Sequence, residues 1–275
     1  MHPKQILPLS AREHLRPRYQ RLCKWLIRKN QAIRQSSFWP RPAGWHAVRE
    51  QLGGVEDSTV LYQVAAREFG ILQVEEEIVP FLDYVAKQEP QIIGEIGLKH
   101  GGNSFMFLRK LTKARLYLGM DLVLQNVSKL RFYHRQGQEI HTLEGNSQLP
   151  AVVSKAERIL AGRKFDFLFI DGDHEYPGVL EDLIQWYPLV RPGGLIAFHD
   201  IVPDEEAKTG VRPANSLIWG GGVHLLWARL KPHFRHAEFV NDWNQGGFGI
   251  GVLHKSDDTC LDPELVRKLK QGICE

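Results

Sequence analysis

Two regimes of apolar and polar positions divide the chain. From residue 91 onward, short apolar runs ending in a glycine or an acid alternate with stretches whose apolar residues recur at helical spacing. "QIIGEIG" (91–97), "ARLYLGMDL" (114–122), "EIHTLEGNS" (139–147), "FDFLFIDGD" (165–173) and "GGLIAFHDI" (193–201) predict five strands. "GGNSFMFLRKL" (101–111), "GVLEDLIQWYPLV" (178–190) and "GGVHLLWARLKPHF" (221–234) predict helices. "HAEFV" (236–240) and "GFGIGVLHK" (247–255) predict two last strands. Strands alternating with helices imply an α/β fold, a doubly wound, mostly parallel sheet covered on both faces.

Before residue 91 the pattern is helical. Residues 58–88 read as helix, with Gly70 a C-cap and Ile78, Phe81, Leu82 and Val85 on one face of "VEEEIVPFLDYVAKQEP". Residues 11–35 also read as helix, broken early by Pro17, and "SFWPRPAGW" (37–45) reads as a linker. The expected organisation is a helical extension over 1–50, a helical lead-in over 51–90, the α/β domain over 91–257 and a tail helix over 258–275.

Charge changes this picture at one end. The net charge of +3 over 275 residues conceals eleven Lys/Arg against Glu13 alone in residues 1–49, so a basic arm precedes an acidic body. The arm reads as a solvated helix face, as a contact for anionic lipid, or as a contact for nucleic acid. Three scattered cysteines without a CxxC pair argue against a disulfide framework and suggest a reducing, cytoplasmic setting; contact with lipid would place the protein at the inner face of the membrane. No apolar run approaches the about 18 residues of a spanning helix.

In a doubly wound sheet, ligands bind outside the carboxyl ends of the strands. Every polar cluster here falls at such an end: Glu95, Asp121, Asn146, Asp171 and His199–Asp200. Gly97, Gly101, Gly102 and Ser104 form the first turn and open the helix after it. The turn is not GxGxxG, which argues against a nicotinamide or flavin pyrophosphate. Asp121, at the next strand end, is placed to accept hydrogen bonds from ribose hydroxyls. Asn146 and Ser147 are placed to meet an adenine edge.

Asp171 and Asp200 end two strands expected to be neighbours, whose ends lie about 5 Å apart. Two carboxylates so close need a counter-charge, or one stays protonated. A divalent cation held by Asp171, His199 and Asp200 supplies it; oxygen ligands favour Mg²⁺, and the imidazole shifts preference toward Mn²⁺, Fe²⁺ or Zn²⁺. Asp173 and Glu175 read as acids favoured by the dipole at a helix N-terminus. The loop 202–222 reads as a mobile lid, with Trp219 placed to stack on an acceptor ring.

"EIGLKHGGNS", "YLGMDL", "LEGNS", "FDFLFIDGDHEYPGVLEDL", "YPLVRPGGLIAFHDI" and "QGGFGIGVL" occur in order over about residues 70–255. This region resembles the class I S-adenosylmethionine-dependent methyltransferases, and within them the family often labelled "methyltransferase 24", related to macrolide-sugar and catechol O-methyltransferases. The resemblance implies a Rossmann-like seven-stranded sheet with an antiparallel last strand, and S-adenosylmethionine as methyl donor. It implies Glu95 and Gly97 beside the methionine part, Asp121 on ribose and Asn146–Ser147 at adenine. It also implies a metal on Asp171 and the His199–Asp200 pair, and His174, three residues after the first acid, as general base. Lys99 stands where glycine is frequent, Asn146 where aspartate is, and His199 where an acid is.

The implied reaction is metal-assisted methylation of a small-molecule or glycan hydroxyl, with His174 taking the proton. Two other functions fit parts of the sequence: a nicotinamide-dependent oxidoreductase on a related fold, and a nucleic-acid-binding module that uses the basic arm.

Overall fold

The computed structural model describes residues 43–211, 220–256 and 260–271. The chain divides into two units, Met1–His46 and Ala47–Glu275, and the sheet and both cavities belong to the second. The predicted helix over 11–35 lies outside the described residues, as does Trp219.

Three helices lead in: α1 (Ala43–Leu52), α2 (Ser58–Phe69) and α3 (Glu75–Ala86). Asp57 caps α2 through a hydrogen bond from the Val60 amide, and Gly70 ends it in the left-handed region, as predicted. The expected linker 37–45 overlaps α1, because the chain is already helical at Ala43, the residue that follows the last proline of that stretch.

The α/β region runs β1 (Ile92–Ile96), α4 (Gly102–Lys110), β2 (Leu116–Asp121), α5 (Val127–Tyr133), β3 (Glu139–Glu144), α6 (Pro150–Leu160), β4 (Phe165–Ile170), α7 (Tyr176–Trp186) and β5 (Val190–His199). Then follow α8 (Glu205–Thr209), α9 (Val223–Leu230), β6 (His236–Phe239), β7 (Ile250–His254) and α10 (Pro263–Gln271). The seven strands pair in the order β3-β2-β1-β4-β5-β7-β6. β1 to β5 are parallel, and β7 is antiparallel to both β5 and β6. Strand order reverses between β1 and β4, which opens a crevice beyond their carboxyl ends.

β4 and β5 are central, and their apolar runs are buried on both faces, which is why they show no alternation. Helices α5 and α6 were not anticipated. α6 nevertheless carries the signs of one, with Pro150 in its first turn and Val152, Val153, Ala156 and Leu160 buried on one side. The short α8 falls inside the loop expected to be a lid. Buried Asp204 caps it at the Ala207 amide and also accepts from the Gly220 amide, so one carboxylate ties both described ends of that loop. Among the described residues, no helix is long and apolar enough to cross a membrane.

Candidate active site

A cavity of about 760 Å³ lies at the carboxyl ends of the parallel strands. Its floor is the junction of β1 and β4. The Asp171 amide donates to the Ile96 carbonyl and the Gly97 amide to that of Met120. At Gly97 a β-carbon would lie 1.9 Å from the Asp171 carbonyl oxygen, and φ is +89°. Only glycine lets the two strand ends approach this closely.

Of the predicted site residues, Gly97, Gly102, Asp121, Asn146, Ser147, Asp171, His174, His199 and Asp200 all line this cavity. Glu95, Gly101 and Ser104 are not among its walls. Glu95 turns beneath the floor, where the hydroxyls of Ser104 (2.7 Å) and Tyr117 donate to its Oε2. Glu95, expected beside the methionine part of the donor, and Ser104, expected in the donor site, are bonded to each other instead. Burial pushes the Glu95 carboxyl up to about 8 against the pull of those two donors, with the charges of Asp171 and Asp121 adding to the rise. Gly101 caps α4 and faces Leu130 instead.

Asp121 organises the neighbouring turns. Its Oδ2 accepts from the Lys99 amide at 2.7 Å and its Oδ1 from the Val123 amide at 2.9 Å. Lys99 adopts φ of +47°, a conformation that glycine takes without strain. Asn146 closes a turn by accepting from the Gln148 amide at 2.9 Å, and the Gln148 side chain donates to Asp173 at 2.9 Å. Asp173 also accepts from the Glu175 amide and packs against Gly178 in the first turn of α7, the helix-terminus role expected of it. Glu175 is the N-cap residue of that helix but makes no side-chain capping bond.

The charged centre joins β4 to β5. Asp171 follows β4, and His199 and Asp200 close β5. His174 Nδ1 lies 2.9 Å from Asp200 Oδ2, and its Nε2 lies 3.6 Å from Asp171 Oδ1. His199 Nδ1 sits 3.3 Å from Asp171 Oδ1 and 3.4 Å from Asp200 Oδ1. Burial disfavours a charged His199 ring, yet the two carboxylates outweigh it and hold its pKa well above the ordinary value. Burial likewise opposes charge on Asp200, but His199 and His174 hold its carboxyl well below the usual range. Part of the counter-charge demanded by Asp171 and Asp200 is therefore protein-borne.

One ligand atom each from Asp171, His174 and Asp200 come within 4.8 Å of one another. The sequence grouped His199 with the two acids as metal ligands; in the structure His199 Nδ1 contacts both, yet it is His174 that offers a ligand atom together with theirs, and His199 Nε2 is buried with no hydrogen-bond partner among the described residues. The reason is the turn after β4, which carries His174 back over Asp200. The Gly222 amide holds it there by donating to the His174 carbonyl at 2.7 Å. At Gly221, φ +56°, a β-carbon would lie 2.2 Å from that same oxygen.

Three wall residues escaped sequence reasoning. Gln73 reaches from the α2–α3 turn to donate to Asp171 Oδ2 at 3.1 Å. The Phe248 amide donates to Asp200 Oδ1 at 3.1 Å. Gln148 links the Asn146 turn to Asp173 through the two bonds given above. Gln73 and Phe248 come from segments distant in sequence; Gln73 carries no local motif, and Phe248, though inside "QGGFGIGVL", acts through its backbone amide, which its side-chain type does not announce.

A seven-stranded sheet in this order, with an antiparallel β7 and its cavity at the β1/β4 switch point, is the class I S-adenosylmethionine-dependent methyltransferase fold. A family described as "Methyltransferase domain" matches residues 95–201, the stretch from the end of β1 to just beyond β5. The match does not favour the nicotinamide or nucleic-acid alternatives. An uncharacterized protein of Acanthamoeba polyphaga mimivirus is 29% identical over 112 residues, 38% of this chain and 49% of that protein.

Among solved structures, an O-methyltransferase family protein from Burkholderia thailandensis aligns at 16% identity and TM-score 0.46, over 64% of this chain and 55% of that one. An O-methyltransferase from Bacillus cereus, in complex with SAH, aligns at 20% and 0.47, over 77% and 99%. The MycE methyltransferase of mycinamycin biosynthesis, in complex with Mg, SAH and mycinamycin VI, aligns at 20% and 0.47, over 73% and 54%. The chain spans about half the length of the viral relative and of two of these structures.

Proposed function

We propose that this protein transfers the methyl group of S-adenosylmethionine to a hydroxyl oxygen of a small molecule or glycan. The observation that carries this reading is the His174–Asp200 pair, 2.9 Å apart, in the wall of the same cavity as Asp121 and Asn146. In this reading the donor lies along Gly97, Asp121 and Asn146–Ser147, and the acceptor hydroxyl meets His174.

With Asp200 accepting from Nδ1–H, His174 is left with Nε2 as a proton acceptor on its other side. The acceptor oxygen attacks the methyl carbon as the carbon–sulfur bond breaks; its proton passes to Nε2, and the sulfonium becomes a neutral thioether. Asp200 stabilises the imidazolium so formed. Holding both reactants in one cavity turns a bimolecular encounter into an oriented one.

The two carboxylates and one imidazole also fit a divalent cation, held by Asp171, His174 and Asp200. One nitrogen among the donors suits Mn²⁺, Fe²⁺ or Zn²⁺ as well as Mg²⁺. Such an ion, when bound, lowers the pKa of a hydroxyl at its open position and fixes its direction. A ring nitrogen bound to an ion has no lone pair for a proton, so the same His174 nitrogen cannot serve in both ways.

Transfer of a labelled methyl group to a panel of sugar alcohols, phenols and polyketide alcohols tests the reading. His174→Gln should lower turnover by about 10²–10⁴-fold while S-adenosylhomocysteine affinity, measured by calorimetry, stays unchanged. Undiminished turnover in that variant removes His174 from the reaction. Failure of S-adenosylhomocysteine to bind the parent protein removes the whole reading. Abolition of turnover by chelator, with restoration by Mn²⁺, assigns the ion.

A further inference from the structure

We propose that a second cavity, at the opposite edge of the sheet, binds an anion carrying phosphoryl groups. This cavity has a volume of about 620 Å³ and shares no wall residue with the first. It lies where Gln91, Arg115 and Gln138 lead into β1, β2 and β3, and where α1, α4 and α5 end.

Arg49, Arg109, Lys113, Arg115 and Arg135 line it, with His134 beside them, and its wall contains no Asp or Glu. Two of these cations have an evident structural task. Arg109 Nη2 donates to the Leu52 and Gly53 carbonyls at 2.7 and 2.9 Å, closing the end of α1. Arg135 Nε donates to the Arg109 carbonyl at 2.6 Å, closing the end of α4.

Charge accounting decides whether that task explains the cluster. A helix C-terminus carries about half a negative charge, so three of them contribute about −1.5. Among the described residues, the carboxylate paired with one of these cations is Glu56, 3.5 Å from Arg135. Against five permanent cations this leaves a surplus of between about two and three positive charges, before His134 is counted.

The surplus is felt inside the protein. Arg109 is buried, its Nε has no hydrogen-bond partner among the described residues, and burial followed by the charges of Arg135 and Arg49 lowers its pKa to about 10. Lys113 and Arg115 are exposed at the rim, with Thr112 and Gln136 as neutral donors beside them. Guanidinium forks match the oxygens of phosphate in pairs, and a phosphate ester concentrates the charge that this wall lacks. The volume falls in the range of sites for small molecules and exceeds what one inorganic phosphate needs. The proposal does not depend on methyl transfer.

Calorimetric titration of the full chain with inorganic pyrophosphate tests it. Binding should weaken about tenfold or more in the double variant Lys113→Glu, Arg115→Glu, and fade with added salt, while S-adenosylhomocysteine affinity stays within about twofold. Both positions are exposed, and an unchanged melting temperature checks that the variant folds. Sedimentation with phosphatidic acid vesicles separates the sources. Pyrophosphate binding without vesicle binding assigns a soluble phosphate ester, and vesicle binding lost in the same variant assigns a lipid headgroup; either supports the site. No heat at millimolar pyrophosphate overturns it. So does equal binding by the variant, which would move the anion to other cations, such as those of residues 1–49.

Discussion

At the carboxyl edge of the sheet, Asp171 and Asp200 face two imidazoles; at the amino edge, five permanent cations face Glu56. Topology accounts for part of this polarity. In an alternating α/β chain each helix starts near the carboxyl edge and ends near the amino edge. Helix N-termini therefore favour acids on one side and C-termini favour cations on the other. Asp173 at the start of α7 and Arg109 at the end of α1 follow that rule. The difference lies in how far each edge exceeds it. The carboxyl edge meets part of the charge of its acids with protein groups, whereas the amino edge keeps most of its surplus. An unsettled surplus is the better sign of a missing ligand, and that contrast can be broken at several points.

The largest effect is expected at Glu95, beneath the carboxyl edge. Its native pKa of about 8 lies above the ordinary 4.5. The native state thus keeps a proton that the unfolded chain releases between those values. The stability from this group is complete below pH 4.5 and declines as pH rises to about 8, by up to about 1.4 kcal/mol per unit. Glu95→Gln should flatten that decline in denaturant melts from pH 5 to 8. An unchanged slope would show that Glu95 is ionised in the native state.

At the amino edge, Arg109→Met should cost about 2 kcal/mol, because the Leu52 and Gly53 carbonyls lose their donor. Part of that cost should be offset by relief of repulsion with Arg135 and Arg49. A stabilised variant would mean that the cluster is strained for binding rather than needed for helix closure. The smallest effect belongs to Asn146→Ala, which removes the bond from the Gln148 amide and should weaken S-adenosylhomocysteine binding by about fivefold, or about 1 kcal/mol. No change in affinity would detach that turn from the donor site.

β1, β2, β4, β5 and β7 were legible because burial on both faces writes itself as continuous apolar runs, whereas the edge strands β3 and β6, half-buried or exposed, were placed by the alternation of elements around them. α5 escaped notice for the opposite reason: seven residues give barely two turns of pattern. The candidate site was legible wherever a residue sits at a strand end. It was misread where side chains turn. Glu95 occupies such an end, yet its direction is set by Ser104 and Tyr117, 9 and 22 residues away in the chain.

By itself, then, the order of residues determined the alternation of strand and helix, the edge at which polar chemistry gathers, and the glycine at 97, since these follow from periodicity and backbone sterics. Tertiary structure alone decided that His174 comes to share the two acids with His199, that Gln73 reaches Asp171 across 98 residues, and that cations from three separate segments share one wall. Such meetings depend on how distant segments fold back on one another, and local spacing carries no information about that.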